Sequence, residues 1–485
     1  MTTLEEYHTD NFIDGEWVAS NSRDRIDVVN PATEEVWGQV PSSDGVDIDA
    51  AVGAASRAFR GSGWRDISAA DRAVHMLRLA DELETRAERM ASLITSENGT
   101  AITETLLAAG HAGRMLRYYA GLAHLVDQND QRPFPGNDAL YSQVLRQPRG
   151  VAALIAPWNF PVALVMVKLA PALIAGCTVV IKPASETPLD LRVLMEAATA
   201  ASIPAGVINM ITCGNDVAGA LVEHPLVAKV AFTGSTEVGR LLAEKCGRLL
   251  RPVTLELGGK SASIVMEDAD LDYFASMVNR TCLRNTGQTC YNSTRILAPR
   301  SIYDQVVGVV ASVVAATPIG DPLDPTTVYG PAASAKQRDR VENYIRIGTE
   351  EGARIAVGGG GRPDHLDRGY FVRPTVFAGV SNDMRIAREE IFGPVLVVIP
   401  FDDADDAIRI SNDSPFGLGG SIFAQDVDAA AAMAASLETG SVGINFYGSN
   451  QAAPFGGWKD SGIGMEYGPE AINAYSRMKS IHRQR

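Results

Sequence analysis

The fold is indicated by one apolar stretch, Val151-Ala-Ala-Leu-Ile-Ala156, which runs directly into Pro157-Trp-Asn-Phe-Pro161. Runs of the same character recur downstream at Cys177–Lys182, Val207–Ile211 and Lys229–Phe232. Segments of helical length separate them, and such alternation is typical of βαβ units with a parallel sheet. A second set of runs, which predicts another α/β layer, lies at Ala262–Met266, Thr294–Ala298 and Val395–Phe401. The predicted fold class is therefore α/β.

The chain is long enough for more than one hydrophobic core. It has 485 residues, of which 46% are hydrophobic and 21% charged, whereas single cores stop growing near ~250–300 residues. No segment resembles a long flexible linker, so we expect two packed domains with the ligand site in the crevice between them. Ahead of the strands, apolar residues including Leu77 recur at helical spacing and predict one amphipathic helix from Ser68 to Ile94.

Charge and cysteine content exclude several classes of protein. The formal net charge is −15, which opposes binding to nucleic acid and to anionic membranes. Residues Met1 to Asp10 are polar and acidic, unlike a signal peptide, and no stretch of about 18 residues is uninterruptedly apolar. Five cysteines form an odd, sparse set that suits a reducing compartment. We therefore expect a cytoplasmic protein that binds neither nucleic acid nor membrane.

Several familiar catalytic signatures are missing. The sequence contains no G-x-G-x-x-G after a strand, no G-x-S-x-G elbow and no paired-histidine metal motif among its seven histidines. Leu257-Gly-Gly-Lys-Ser261 ends like a nucleotide-binding P-loop, but Thr254 stands where that loop needs glycine. We therefore predict neither a metal site nor an ATPase.

Cys290 lies in a polar stretch, Asn285-Thr-Gly-Gln-Thr-Cys290, that resembles a loop or the start of a helix. Backbone N–H groups in such a setting favour the thiolate that a nucleophile needs. The alternative is a structural cysteine, because free cysteine is among the most buried residue types. Cys177 and Cys213 flank apolar runs and fit that alternative.

Two further polar residues stand at predicted strand ends. Glu256 closes an apolar run and precedes two glycines, a setting that desolvates a carboxylate and raises its pKa toward the range of a general base. Asn159 follows the strand at Val151–Ala156, where an amide can donate to an oxyanion. The alternatives are a solvent-facing glutamate and an ordinary turn asparagine.

Two other strand ends have a composition that suits a ligand site. Lys182 closes a strand in Lys182-Pro-Ala-Ser-Glu-Thr-Pro188. The stretch Phe232-Thr-Gly-Ser-Thr-Glu-Val-Gly239 runs from a strand into a helix, and backbone N–H groups at such a helix start can hold a phosphate.

These stretches match one family in order and spacing: the chain resembles the aldehyde dehydrogenase superfamily over essentially its whole length. The resemblance implies an enzyme that oxidises an aldehyde to its carboxylic acid with a nicotinamide cofactor. Seven segments carry it, namely Pro157–Pro161, Lys182–Pro188, Phe232–Gly239, Leu255–Lys260, Gly287–Cys290, Glu390–Pro394 and Pro454–Gly462.

The resemblance also assigns roles to residues. Cys290 would be the nucleophile that forms a thiohemiacetal and then a thioester. Asn159 and the backbone N–H of Cys290 would hold the oxyanion, and Glu256 would activate the hydrolytic water. The positions implied to bind the cofactor are Trp158, Lys182, Ser185, Gly234, Ser235, Glu390 and Phe392.

The family's architecture is implied as well. It comprises a Rossmann-like cofactor domain from residues 1–126 and 150–256, and an α/β catalytic domain from 257–460. Residues 127–149 and 470–485 would form a small oligomerisation β-sheet. A homodimer or homotetramer is therefore implied.

Departures from the family pattern bear on the substrate. Val167 stands where semialdehyde-oxidising members carry arginine, so a carboxylate-bearing aldehyde is not expected. Asn450 replaces an aromatic residue of some members, which suggests a roomy pocket. The expected substrate is a medium or large apolar aldehyde, in a pocket formed by Phe160, Val167, Tyr291, Asn450 and Phe455.

One departure bears on the cofactor. Ser185 stands where NAD-preferring relatives usually carry a glutamate, whose charge would repel the extra phosphate of NADP. We therefore expect use of both NAD and NADP. The alternative is that Glu186 takes the place of the missing carboxylate.

Two other functions compete with hydrolytic aldehyde oxidation. An acylating dehydrogenase would pass the thioester to coenzyme A and has no need of Glu256 as a base. A non-catalytic relative, kept as a binding or structural protein, would be expected to lose Cys290, Glu256 or Asn159. All three residues are present, so we prefer the hydrolytic enzyme.

Overall fold

The computed structural model describes residues 10–61, 63–128 and 130–485. The polar N-terminal segment, apart from Asp10, lies outside them. In chain order the strands are β1 (Asn11–Ile13), β2 (Glu16–Val18), β3 (Arg25–Asn30), β4 (Glu35–Pro41), β5 (Asp130–Phe134), β6 (Asn137–Pro148), β7 (Val151–Ile155), β8 (Thr178–Lys182), β9 (Ile208–Met210), β10 (Val227–Thr233), β11 (Val253–Glu256), β12 (Ala262–Val265), β13 (Arg295–Pro299), β14 (Arg354–Val357), β15 (Thr375–Ala378), β16 (Val395–Phe401), β17 (Phe416–Gly417), β18 (Gly419–Phe423), β19 (Ser441–Ile444), β20 (Trp458–Lys459), β21 (Gly462–Ile463) and β22 (Ser476–Gln484).

The helices connect these strands and cover their faces. They are α1 (Gly45–Gly61), α2 (Ala69–Glu84), α3 (Ala87–Asn98), α4 (Ile102–Thr105), α5 (Ala108–Gly121), α6 (Ala123–Val126), α7 (Pro161–Ala175), α8 (Asp190–Ala200), α9 (Asn215–Glu223), α10 (Thr236–Arg248), α11 (Leu271–Thr281), α12 (Tyr303–Ala316), α13 (Ala335–Glu350), α14 (Arg385–Arg388), α15 (Ala404–Asn412), α16 (Val427–Ala434) and α17 (Ala471–Tyr475). Within the described ranges, no helix combines the length and apolar character needed to cross a membrane.

The first sheet has eight strands in the order β2-β1-β9-β8-β7-β10-β11-β21. Its five central strands run parallel to one another and are β9, β8, β7, β10 and β11. All four apolar runs predicted as the first set of strands are strands of this sheet. Alternate residues of β7 face opposite cores, because Ala152 and Leu154 pack with α2, α7 and α8, whereas Val151 and Ala153 pack with α1, α9 and α10.

The chain order of this sheet reverses between β7 and β10. Ligands of open α/β sheets bind beyond the carboxyl ends of the strands at such a reversal. The residues just after β7 and β10 are therefore placed where a ligand is expected.

The second sheet has seven strands in the order β14-β15-β16-β13-β12-β18-β19, and only β14 runs antiparallel to its neighbour. It contains all three runs predicted as a second α/β layer, so that prediction is confirmed. Residues 257–261 alone separate the end of β11 from the start of β12. This connection brings the carboxyl edge of the first sheet against the amino edge of the second.

The remaining strands of the described residues form three short antiparallel sheets, and the largest has the order β22-β6-β5. It is built from the two segments predicted to form an oligomerisation sheet, with β22 paired to β6 from Ser476 opposite Pro148 to Gln484 opposite Leu140. The exact division into cofactor, catalytic and oligomerisation domains stays a prediction.

The predicted helix from Ser68 to Ile94 is wrong in one respect, because the structure has two helices there. Ser68 caps α2 by accepting from the Asp71 N–H at 3.0 Å. However, α2 ends at Glu84 and α3 begins at Ala87.

Candidate active site

Cys290 lies in the loop between α11 and β13, as the sequence predicted. Three consecutive residues of this loop, Asn285, Thr286 and Gly287, have left-handed backbone with φ of 52°, 53° and 78°. A Cβ on Gly287 would lie 2.1 Å from the carbonyl oxygen of Gly393. The loop therefore packs backbone against backbone onto the segment that follows Glu390, and only glycine fits at position 287.

The thiol of Cys290 is half-buried and packs beside Tyr291, Leu418, Tyr447 and Phe455. Burial, followed by the carboxylates of Glu390 and Glu256, raises its pKa to about 12, although the backbone N–H groups of Tyr291 and Cys290 act in the opposite direction. The expected stabilisation of the thiolate is therefore wrong, because the groups around Cys290 favour its protonated form. Cys177 and Cys213, by contrast, are fully buried, as the structural alternative predicts.

Glu256 ends β11 and is buried, so the alternative of a solvent-facing glutamate is excluded. Neither of its carboxylate oxygens has a hydrogen-bond partner within the described part of the chain. Burial, and then the neighbouring carboxylate of Glu466, raise its pKa well above the ordinary value, while Lys168 lowers it. An unpartnered buried carboxyl with a raised pKa has the properties of a general base.

An ion pair that was not predicted from the sequence lies beside Glu256. Lys168 Nζ is 2.6 Å from Glu466 Oε1 and 2.6 Å from Thr233 Oγ1, and both charged side chains are buried. Lys168 is the one charged residue of the apolar helix α7. Because lysine is almost never fully buried unless it is paired, that isolated charge was the available signal.

Asn159 follows β7 and is 3% exposed. Its Nδ2 donates to the carbonyl oxygen of Gln288 at 2.9 Å, within the nucleophile loop. The backbone carbonyl of Asn159 accepts from Asn285 Nδ2 at 3.0 Å. The amide is therefore fixed against the loop that carries Cys290, and its second N–H remains for a ligand.

Two predicted cofactor residues meet across the crevice. The rings of Trp158 and Phe392 are 5.4 Å apart and nearly perpendicular. Glu390 Oε1 accepts from the Gly259 N–H at 3.0 Å, and a Cβ on Gly258 would lie 2.5 Å from the other carboxylate oxygen. Burial raises the pKa of Glu390 to about 7.

The remaining predicted cofactor residues lie at the carboxyl edge of the first sheet. Lys182 ends β8 and is buried, and Ser185 and Glu186 are half-buried in the turn that follows. Ser235 caps α10 by accepting from the Val238 N–H at 3.4 Å. A Cβ on Gly234 would lie 2.3 Å from the Phe232 ring, so a larger residue at this position would require that ring to move.

A cavity of about 500 Å³ opens beside Asn159 and Tyr291, the residue that follows Cys290. Of the predicted substrate residues, Phe160 and Tyr291 line it, and Phe455 packs on Tyr291 with ring centroids 6.4 Å apart. Val167 does not line it, because this residue lies one turn deeper along α7 than the lining residue Ala163 and joins the apolar core. Asn450 does not line it either, because its side chain is exposed and accepts from the Ala452 N–H in a local turn.

Comparison with known proteins gives concordant matches. The model of the aldehyde dehydrogenase family matches residues 17–481. A geranial dehydrogenase of Castellaniella defragrans is 50% identical over 482 residues, covering 99% of each chain. An aldehyde dehydrogenase of Mycobacterium tuberculosis, solved with NAD+, is 43% identical over 98% of both chains, with a TM-score of 0.94.

A further solved structure contains a substrate. It is an alanine variant of aldehyde dehydrogenase C from Pseudomonas syringae in complex with NAD+ and octanal. It is 37% identical and covers 99% of this chain and 98% of its own, with a TM-score of 0.93. Since the family model and these relatives span nearly the whole sequence, and the two-sheet fold superposes on theirs, the chain belongs to the aldehyde dehydrogenase family.

Proposed function

We propose that this aldehyde dehydrogenase oxidises a medium or large apolar aldehyde to its acid, with Cys290 as nucleophile, Asn159 as oxyanion donor and Glu256 as hydrolytic base. The observation that carries the proposal is the carboxyl of Glu256. It is buried, unpartnered among the described residues, and close enough to Cys290 for its charge to raise the pKa of that thiol. A buried carboxyl without a partner is costly, and a role in catalysis accounts for it.

The chemistry follows from these three groups. The sulfur of Cys290, after losing its proton to Glu256, attacks the aldehyde carbon, and the second N–H of Asn159 holds the oxyanion of the thiohemiacetal. Loss of hydride from this intermediate leaves a thioester on Cys290. Glu256 passes the proton it took from Cys290 to solvent and then removes a proton from the water that attacks the thioester. The tetrahedral intermediate expels the Cys290 sulfur, which takes up a proton from Glu256, so that the acid and the free thiol are released.

A nicotinamide cofactor, when bound, supplies the hydride acceptor. The chain offers a fitting site, because the backbone N–H groups at the N-terminus of α10, which Ser235 caps, lie at the carboxyl edge of the first sheet just after β10. Lys182, Ser185 and Ser235 would hold the adenosine and phosphate groups. Glu390, Phe392 and Trp158 would hold the nicotinamide end. We propose that both NAD and NADP are used.

The substrate class is supported by the cavity and by two relatives. Phe160, Tyr291 and Tyr447 give the cavity aromatic walls, and about 500 Å³ accommodates a chain of medium length. The 50%-identical relative is named for geranial, and the Pseudomonas syringae relative was solved with octanal. Both are uncharged aldehydes with apolar chains.

The competing acylating function is disfavoured by Glu256, since transfer of the thioester to coenzyme A needs no hydrolytic base. The non-catalytic alternative is disfavoured because Cys290, Glu256 and Asn159 stand together in one site. We also propose that the enzyme is a cytoplasmic homodimer or homotetramer, and its five free thiols suit a reducing compartment.

The proposal is tested with a panel of straight and branched aldehydes, assayed by nicotinamide absorbance with NAD and with NADP. We expect turnover that rises with apolar chain length, and complete loss of turnover in Cys290→Ala while cofactor binding persists. Cys177→Ala, which removes a fully buried thiol, is the matched control and should keep activity. Turnover above a few per cent in Cys290→Ala, or an absolute need for coenzyme A, would contradict the mechanism.

A further inference from the structure

The cavity beside Asn159 and Tyr291 contains a half-buried arginine that the proposed mechanism does not use. The side chain of Arg284 is 37% exposed and that of its partner Glu104 30% exposed. Arg284 Nε donates to Glu104 Oε1 at 3.0 Å, and Nη2 donates to the same oxygen. Its third nitrogen, Nη1, donates to the Tyr291 hydroxyl at 2.5 Å.

Arg284 is placed to contact a bound substrate. Its guanidinium lies over the Phe160 ring, 5.1 Å from the centroid. Phe160 follows Asn159 in the chain and Tyr291 follows Cys290, so Arg284 touches the neighbours of both proposed catalytic groups. A substrate whose carbonyl reaches Cys290 therefore has its chain close to this cation.

Other ionisable groups also line the cavity, and apart from Glu104 none of those described is an acidic residue. Arg114 and Arg280 line it with exposed side chains, whose charges solvent and salt screen. Burial lowers the pKa of His111, another lining residue, to about 4, so its ring is neutral at pH 7. Glu104 is the one carboxylate among the described lining residues.

We propose that Glu104 masks the charge of Arg284, and that this pair makes the cavity select uncharged aldehydes over aldehydes that carry a carboxylate. The inference rests on the proposed function and names the residues that set its substrate class. A substrate carboxylate would have to displace Glu104 from the guanidinium or stay desolvated beside it, and like charges brought together can cost several kcal/mol.

Glu104→Gln tests the proposal, because the amide still offers an oxygen to Arg284 but no longer neutralises it. Straight-chain aldehydes of four to eight carbons and their ω-carboxy counterparts are compared by kcat/KM at about 0.15 M salt, where exposed charges are largely screened. We expect the ratio of carboxylate to uncharged substrate to rise at least ~tenfold, equivalent to ~1.4 kcal/mol. Glu104→Gln combined with Arg284→Gln should lose this gain.

Glu84→Gln is the matched control, since Glu84 pairs with Arg117 in a similar way but does not line the cavity. It should leave the ratio unchanged. If Glu104→Gln lowers turnover on every substrate, calorimetric binding of hexanoate replaces the assay, with at least ~tenfold tighter binding expected. An unchanged ratio and unchanged hexanoate binding would overturn the masking role. Inactivity of the unmodified enzyme on all aldehydes would instead overturn the proposed function.

Discussion

At the scale of single residues, the loop that carries Cys290 combines a strained backbone with a thiol whose pKa is raised. Left-handed backbone at Thr286 is unusual for a β-branched residue, and strain of this kind collects at functional sites. The pKa of Cys290 near 12 means that its thiol stays protonated at neutral pH until a base or a cation acts on it. We therefore expect that Glu256 and the bound ligands have to promote loss of the thiol proton before Cys290 can react.

The ion pair beside Glu256 gives a prediction about pH. Glu466 raises the pKa of Glu256 and Lys168 lowers it, so Glu466→Gln should lower that pKa by removing the repulsion and freeing the cation. Hydrolysis needs ionised Glu256, so the limb on which the rate of hydrolysis rises with pH should move to lower pH, by about one unit. The measurement is the steady phase after the burst of reduced cofactor, as a function of pH.

Glu470→Gln serves as the control for this experiment, because Glu470 is an exposed carboxylate four residues after Glu466 that does not influence the pKa of Glu256. Its profile should match that of the unmodified enzyme. If Glu466→Gln shifts the limb upward, or leaves it in place, then Glu466 does not act on the base.

Individual site residues differed in how far they could be predicted from sequence. Cys290, Glu256 and Asn159 sit in short motifs at strand ends or in a loop, and the structure brings them together. Glu104 and Arg284 are 180 positions apart, and neither stands in a recognisable motif. Their meeting depends on how α4 packs against the nucleophile loop, which no local pattern encodes.

At the scale of elements, the strands were predictable and one helix was not. Parallel strands covered on both faces are almost continuously apolar, as β7, β8 and β13 are. The break between α2 and α3 carries neither glycine nor proline, and apolar residues continue across it. Leu77 kept the helical spacing, yet its side chain is 42% exposed.

The turn after β8 gives a prediction about cofactor choice. Ser185→Glu places a carboxylate where it would repel the 2′-phosphate of NADP and bond the ribose hydroxyls of NAD. We expect the ratio of kcat/KM for NAD over NADP to rise at least ~tenfold, or ~1.4 kcal/mol. The measurement is kcat/KM from steady-state rates with each cofactor, for the unmodified enzyme and for Ser185→Glu.

Glu186→Gln is the matched experiment on the neighbouring residue of the same half-buried turn. If Glu186 substitutes for the missing carboxylate, this change will shift preference toward NADP and the unmodified enzyme will discriminate against NADP. An unchanged ratio in Ser185→Glu would mean that Ser185 does not contact the ribose.

At the scale of the whole molecule, the antiparallel sheet of β22, β6 and β5 presents an open edge. The order β22-β6-β5 leaves β22 as an edge strand, with Met478 and Ile481 exposed. Unpaired strand edges template association between chains. We therefore place the predicted subunit contact here.

Met478→Lys combined with Ile481→Lys tests that placement by adding charge to the edge strand. The mass measured by analytical ultracentrifugation should fall toward the 51.7 kDa of one chain. Lys479→Gln, on the same strand, should leave the mass unchanged. An intact oligomer in the double variant would put the subunit contact elsewhere.

The last strand of the first sheet also bears on how the protein is made. β21 pairs with β11, placing Gly462 opposite Glu256, and the Leu257 N–H donates to the Ser461 carbonyl at 2.9 Å. The strand that carries the base is therefore flanked by a segment roughly 200 residues later in the chain, a contact of long range that slows folding. A ribosome that has not yet synthesised residue 463 holds a nascent chain whose β11 edge is open to aggregation, so the first sheet of this enzyme stays incomplete for roughly 200 residues of synthesis after β11.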